Sequence, residues 1–190
     1  MTPTMDRLII GISGASGVQY GLRALELPQP LPIETHLVIS KSAELTLHHE
    51  LKSCYANIRG LADVCHPVRN VAAPIASGSF LTRGMLIAPC SIRTLGEITT
   101  GVTSSLLTRA ADVVLKERRP LVLMVRETPL HLGHLRNMAS VTEMGAIVAP
   151  PVPAFYAEPD SLDAVITQSV GRCLDLFNID LPDTRRWMET

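Results

Sequence analysis

The chain lacks most of the features that signal a secreted, membrane-bound or nucleic-acid-binding protein. Aromatic residues make up only 4% of its 190 residues, and basic and acidic residues nearly balance at 17 and 18. Without a strong net charge, no long-range field attracts nucleic acid or an anionic membrane. The four cysteines show no CxxC spacing, so neither a zinc site nor a disulfide framework is indicated. No apolar run is long enough to cross a membrane, and the first six residues do not resemble a signal peptide. We therefore expect a soluble, cytoplasmic protein.

Aliphatic residues dominate what is present. Hydrophobic residues account for 46% of the chain, and such a composition is typical of a parallel sheet covered by helices. It also suits a surface that is buried between subunits. The length fits one domain, which we place at residues 1–190, with a tail at about 178–190.

Short apolar runs alternate with helical patterns along the whole chain. The predicted strands are 7–12, 33–39, 85–88, 121–125 and 146–149; helices are predicted at 18–27, from 40–42 onward, and at 106–116, 131–144 and 161–177. This alternation predicts a single-domain α/β fold, a doubly wound parallel sheet of Rossmann-like or flavodoxin-like type with helices on both faces.

Small and hydroxyl-bearing residues follow three of these strands. They are Gly14, Ala15 and Ser16 after the first, Ser40 after the second, and Ser91, Ile92, Arg93 and Thr94 after the third. Each segment alone is explained by a tight turn or a helix cap. Together they would meet at one sheet edge and surround a phosphorylated cofactor. Because no GxGxxG motif with a downstream acidic residue is present, we predict FMN rather than FAD or NAD.

Several charged residues are further candidates. Arg126 and Glu127 directly follow a predicted strand, although a structural ion pair would also explain them. Arg109 and Lys116, seven residues apart, share a helix face and could neutralise a phosphate, although most charged helical residues simply face solvent. His131 and His134 could bind a metal, but a surface position is the simpler interpretation, and we assign no metal.

Six blocks in order resemble the UbiX-like flavin prenyltransferases: GISGASG (11–17), ETHLVISK (34–41), ASGSF (76–80), APCSIRTL (88–95), LLTRAADVVLKERRPLVLMVRETPLHLGHL (106–135) and PPVPAFY (150–156). The resemblance covers nearly the whole chain. It implies transfer of a dimethylallyl group from dimethylallyl phosphate to N5 and C6 of reduced FMN. It further implies a UbiD-like decarboxylase that receives the prenylated FMN, and a homo-oligomer, typically a dodecamer, with sites between subunits. It does not distinguish a monophosphate from a diphosphate donor.

The same resemblance implies roles for individual residues. FMN contacts are implied for Gly14, Ala15, Ser16, Ser40, the Ser91–Thr94 segment and Arg126; prenyl-phosphate contacts for Tyr156 and Arg172; proton transfer for Glu50 and Glu127; and leaving-phosphate contacts for Ser16, Arg109 and Lys116. Trp187 corresponds to a C-terminal aromatic residue that closes over the site. Breaking an allylic C–O bond places negative charge on phosphate, which cations stabilise and a carboxyl group can protonate.

Two other functions remain to be weighed. An FMN-dependent cysteine decarboxylase would share the fold and the cofactor, but its catalytic histidine and PxMNxxMW block are not evident here. A non-enzymatic flavoprotein that acts by binding a partner enzyme is the second alternative. The presence of Glu50, Lys116, Arg126 and Glu127 together argues against a decayed site.

Overall fold

Six parallel strands form one sheet in the order β3-β2-β1-β4-β5-β6. The computed structural model describes residues 6–51, 55–182 and 184–188, with the backbone alone for 55–57. The strands are β1 (Asp6–Ile12), β2 (Ile33–Ile39), β3 (Val64–His66), β4 (Gly84–Cys90), β5 (Leu121–Val125) and β6 (Ile147–Val148). The parts of the single-domain range 1–190 that fall outside the described residues are 1–5, 52–54, 183 and 189–190.

Helices cover both faces of the sheet. They are α1 (Gln19–Glu26), α2 (Lys41–Leu51), α3 (Ile92–Thr99), α4 (Leu106–Lys116), α5 (Leu132–Glu143) and α6 (Leu162–Asp175). Buried residues of α1, α2 and α6 pack with one face of β1, and those of α3, α4 and α5 pack with the other. Each face of the sheet has its own hydrophobic core. Because side chains alternate along a strand, Leu8 and Ile10 pack in the core with α1, α2 and α6, and Ile9 packs in the core with α3, α4 and α5. The predicted doubly wound architecture is confirmed.

The strand order reverses between β1 and β4, which pair in parallel from Leu8 with Gly84 to Gly11 with Ile87. The chain first winds outward through β2 and β3, then returns across β1 to continue through β4. Such a reversal leaves a crevice outside the carboxyl ends of the two central strands, where ligands of this fold class bind. The segments at 13–17 and 91–94 leave the sheet at this crevice.

The sequence reasoning missed strand β3, which has only three residues. It pairs with β2 from His36 with Val64 to Val38 with His66. Its segment has no apolar alternation, since Cys65 is exposed and His66 is buried, so nothing local indicates a strand. With β3 the sheet has the six-stranded Rossmann order, and without it the remaining five strands have the flavodoxin order.

The described part of the C-terminal tail is fastened to α6. The buried Gln168 amide donates to the Arg185 carbonyl at 2.7 Å and accepts from the Arg185 amide at 3.0 Å. Arg186 forms two 3.1 Å hydrogen bonds with Asp175. Thr184 packs against Gly171, where an added Cβ would lie 2.3 Å from the Thr184 hydroxyl. The tail therefore holds Trp187 at a defined place beside the 155–157 turn.

Candidate active site

The loops after β1 and β4 are joined at the crevice by Ser13. Its buried hydroxyl donates to the Pro89 carbonyl at 2.9 Å and accepts from the Ser91 amide at 2.7 Å. The loop after β5 is also connected to the end of β4, because the Arg126 amide donates to the Cys90 carbonyl at 3.1 Å. The backbone thus fixes the three strand exits relative to one another.

Two glycines allow the loop after β1 to lie close to its neighbours. A Cβ on Gly14 would be 2.5 Å from Cβ of Ser42, at the start of α2. Gly17 has a φ of +93°, which a residue with a side chain rarely adopts. A Cβ there would also lie 3.2 Å from Cδ of Arg126. These contacts explain the glycines, while Ala15 and the exposed Ser16 form the tip of the loop.

Glu50 reaches from the last turn of α2 to the start of α1. Its carboxylate accepts hydrogen bonds from the amides of Gly17, at 2.9 and 3.1 Å, and Val18, at 3.1 Å. Free amides at a helix N-terminus favour a negative charge, so Glu50 stabilises the glycine-rich loop. The carboxylate thus binds the residue that follows Ser16 in the chain.

Arg126 and Glu127 leave β5 with exposed side chains. The Glu127 carboxylate accepts from the neighbouring Thr128 amide at 3.0 Å. Within the described residues, neither side chain has an ion-pair partner, so the alternative of a structural ion pair is wrong there. Arg126 lies near the Tyr20 hydroxyl, whose pKa is raised by burial and partly lowered again by this guanidinium. The Arg126 charge is left facing the crevice.

Beneath the crevice, Cys90 ends β4 and is fully buried. Burial raises the pKa of its thiol to about 12, because the thiolate would lose its hydration. Cys90 is therefore a neutral packing group and not a nucleophile.

A cavity of about 590 Å³ opens between the N-termini of α2, α3 and α4. Three of the predicted cofactor residues lie in its wall: Ser40, Arg93 and Thr94. Leu45, Val68, Val71 and Leu107 supply an apolar part of the wall. The cavity combines hydroxyls, cations and apolar surface, which is the chemistry needed to hold a phosphorylated aromatic cofactor.

The hydroxyls of Ser40 and Ser91 are also helix caps. Ser40 accepts from the Ala43 amide at 3.1 Å and Ser91 from the Thr94 amide at 3.3 Å. The simpler interpretation of each residue is therefore correct, and it is compatible with cofactor binding. Capping satisfies one amide of each helix and leaves the amides of the first turn available to an anion. Ile92, the first residue of α3, contributes such an amide.

The two cations on α4 lie at opposite ends of the helix. Arg109, near the start of the helix, pairs with Asp112 at 2.7 Å. Lys116, at the other end, pairs with Glu117 and lowers the pKa of that carboxyl. It also lies near Gly78. Eleven residues of helix span about 16 Å, so Lys116 lies at the far end of α4 from the cavity. Its contact with phosphate stays a prediction.

The predicted prenyl-phosphate residues lie along the β6 side of the sheet. The Tyr156 and Trp187 rings meet edge to face with centroids 5.5 Å apart. Arg172 pairs with Asp175 and borders a cavity of about 150 Å³ that also touches Met124. Met124 belongs to β5, two residues before Arg126. The roles of all these residues remain predictions.

Two cavity residues, Lys41 and Arg69, were missed by the sequence reasoning. Both side chains are exposed, and neither forms an ion pair or a side-chain hydrogen bond with another described residue. Lys41 stands directly after Ser40, so its position at a helix start was a usable signal. Arg69 gave none, because it follows the unpredicted strand β3.

The fold and the site define a doubly wound protein with a cavity lined by hydroxyls and cations at the carboxyl edge of its sheet. The Flavoprotein family model matches residues 2–171. The flavin prenyltransferase UbiX of Escherichia coli K12 is 59% identical over 186 residues, covering 96% of this chain and 98% of that protein. The structure of AnUbiX (PadA1) with FMN and dimethylallyl pyrophosphate superimposes with a TM-score of 0.94 at 48% identity, covering 97% of this chain and 98% of that one. A dodecameric FMN-dependent UbiX-like decarboxylase from E. coli O157:H7 gives 0.92 at 44%, covering 96% and 100%.

This chain belongs to the Flavoprotein family and, within it, to the UbiX flavin prenyltransferases. The peptidyl-cysteine decarboxylase EpiD shares only the fold, with a TM-score of 0.63 at 12% identity over 93% of this chain. Within the described residues, no group of three or more His, Cys, Asp or Glu side chains is arranged to hold a metal ion. None of the helices in that part of the chain is long and apolar enough to cross a membrane.

Proposed function

We propose that this protein transfers a dimethylallyl group from dimethylallyl phosphate to N5 and C6 of reduced FMN. The prenylated FMN then serves a UbiD-like decarboxylase. The observation that carries the proposal is the gathering of the predicted FMN residues at the carboxyl edge of the sheet, beside a cavity of about 590 Å³. The three described cysteines are free thiols, which suits the cytoplasm as the place of action.

FMN fits the residues that are present. Hydroxyls, free helix amides and unpaired cations suit its phosphate, and the apolar wall suits its carbon framework. When bound, reduced FMN supplies an electron-rich ring that accepts the allylic group. The unpaired Arg126 and the loop at 14–16 would hold the ring side of the cofactor.

In our proposal the other residues act on the prenyl donor. Tyr156 and Arg172 bind its phosphate, and Ser16, Arg109 and Lys116 stabilise the charge that develops on that phosphate as the C–O bond breaks. Glu127 delivers a proton to the departing phosphate, and Glu50, held by the Gly17 amide, accepts one near the ring. Trp187 shields these steps from water.

The direct test is the identity of the flavin product. The protein would be incubated with FMN, dithionite and dimethylallyl phosphate, and the flavin extracted for mass and absorption spectra. We expect the mass of FMN plus one prenyl unit. If only unmodified FMN is recovered with the monophosphate donor and also with the diphosphate donor, the proposed function is contradicted. Coupling to a UbiD-like decarboxylase separates cofactor supply from direct decarboxylation.

Because Lys116 lies far from Glu127 within one subunit, we propose that each site is shared between subunits of a dodecamer. Two inactive variants, Lys116→Ala and Glu127→Gln, would be co-expressed to form hybrid oligomers. If the residues come from different subunits, random mixing restores about a quarter of the sites. If they come from the same subunit, every site carries a defect and the hybrid stays inactive.

A further inference from the structure

Arg69 and Lys41 form an unassigned pair of cations in the wall of the large cavity. We propose that they bind the terminal phosphate of FMN, an inference that rests on the proposed function. Its basis is the charge of the cavity wall, where three cations face one carboxylate. The carboxylate, Glu97, is already engaged by Arg93 at 3.0 Å and by the Ser104 hydroxyl at 2.6 Å. Arg69 and Lys41 are therefore left with no counter-charge on the wall.

The backbone around Arg69 is held in position. The preceding Val68 carbonyl accepts from the Leu106 amide at 2.8 Å, which ties this loop to the start of α4. The Asn70 amide donates to the Pro67 carbonyl at 2.9 Å and closes a turn around Arg69. The buried Ala73 and Ile75 anchor the other end. Arg69 thus extends from a fixed loop, so little backbone ordering is needed when it binds an anion.

Lys41 also lines the cavity and is the first residue of α2. The α3 and α4 helices also begin at this cavity, with Thr94 and Thr108 in its wall. The three helix dipoles place partial positive charge on the same volume as the two side chains. An oxyanion is the group that satisfies both the side chains and the first-turn amides.

FMN carries its phosphate at the end of a flexible ribityl chain, and riboflavin differs from it only by lacking that phosphate. In our proposal the phosphate binds at Arg69 and Lys41, and the ring binds at Arg126 and the loop at 14–16. The ring and the phosphate are then recognised by separate residues. The assignment consequently predicts a loss of FMN affinity that riboflavin does not share.

The test compares Arg69→Ala with the parent protein by fluorescence titration with FMN and with riboflavin. We expect the Kd for FMN to rise about 10- to 100-fold, because a charge-assisted contact is lost, while the Kd for riboflavin stays unchanged. Lys41→Ala should behave alike, and Arg69→Lys should retain part of the FMN preference. Arg136→Ala, which removes an exposed cation of α5, is the matched control and should bind both flavins normally.

Three results would overturn the assignment. Unchanged FMN binding by Arg69→Ala would show that the cation faces no phosphate. Equal losses for FMN and riboflavin would show that Arg69 only supports the loop. A raised KM for dimethylallyl phosphate with normal FMN affinity would assign the pair to the prenyl donor. Normal FMN binding by the parent without prenyl transfer would instead contradict the proposed function and leave the assignment of Arg69 intact.

Discussion

Charged side chains at the two ends of β2 have different surroundings: those in its amino half are paired with each other, and those past its carboxyl end line a cavity. In its amino half, Glu34 accepts from Arg7 at 3.1 Å and pairs with His36 at 2.5 Å, and His36 contacts the buried His66 ring nitrogen at 2.9 Å. We call these four residues the histidine cluster. Past its carboxyl end, Lys41 and the nearby Arg69 have no ion-pair partner within the described residues.

The comparison distinguishes two kinds of charged residue. Those of the histidine cluster stabilise the fold, and those of the cavity are available to bind a ligand. The histidine cluster is closed over by Phe80, whose ring stacks on Arg7 at 4.5 Å and meets His36 edge to face. Among the described residues, the buried side-chain polar atoms of this cluster all have hydrogen-bond partners. The cations of the crevice face open volume. Substitutions in the first group should therefore reduce stability, and those in the second should reduce binding or catalysis.

The largest effect should come from opening the histidine cluster with His36→Ala. Its ring is only 3% exposed, and its removal leaves Glu34 and His66 without a shared partner. We expect a loss of about 3 kcal/mol in the free energy of unfolding, measured by urea denaturation at fixed protein concentration. His49→Ala, at an exposed position of α2, is the control. If His36→Ala is as stable as the parent but fails to bind FMN, His36 serves binding and not stability, contrary to our assignment.

Glu127→Gln should produce the second largest effect, which we expect on the rate of prenyl transfer and not on stability. Since Glu127 has no ion pair within the part of the chain that the structure describes, we expect normal stability and FMN content. Transfer should fall about a hundredfold, or about 2.7 kcal/mol, as expected when a group acts mainly in the transition state. Glu143→Gln, at the exposed end of α5, controls for the loss of one carboxylate. Parental transfer rates with full FMN occupancy would mean that Glu127 is not catalytic.

Arg126→Ala should have a smaller effect, on the cofactor itself. Losing one charged contact to the ring side of FMN should raise the Kd about tenfold. Among the described residues, the Arg126 amide is hydrogen-bonded and its guanidinium is not, so the urea midpoint of the cofactor-free protein should stay unchanged. A shifted midpoint with normal FMN affinity would place Arg126 among the structural charges.

The sequence was sufficient for whatever depends on local pattern. Helix α4 has the predicted bounds, because the Ser105 cap and an apolar face mark it clearly, and the three hydroxyl-bearing strand exits converge as expected. Strand β3 was unpredictable, since three residues acquire strand geometry only through pairing with β2. The position of Arg69 depends on that strand and was lost with it. Our proposal that Lys116 acts in the site of a neighbouring subunit concerns contacts between chains, which no local pattern encodes.

The smallest effect should be a pH dependence of stability that originates in the histidine cluster. Burial, together with the neighbouring His36, lowers the pKa of His66 below its ordinary value of 6.5. Asp63 lies on the same side, and the Thr35 amide holds the pKa of its carboxyl low, so it stays ionised throughout this range. As the pH falls below 6.5, the unfolded chain binds a proton at His66 before the folded protein does. Stability is therefore complete above that value and declines on acidification.

His66→Gln should remove this part of the pH dependence, because glutamine does not titrate. Urea midpoints measured at about pH 7.5, 6.5 and 5.5, which bracket the ordinary pKa, should fall less steeply for His66→Gln than for the parent. His49→Gln should retain the parental slope, since His49 is exposed. Equal slopes for all three proteins would show that protonation of His66 does not oppose folding. In that case the histidine cluster would stabilise the fold by packing alone, and its contrast with the crevice would rest on geometry rather than on charge.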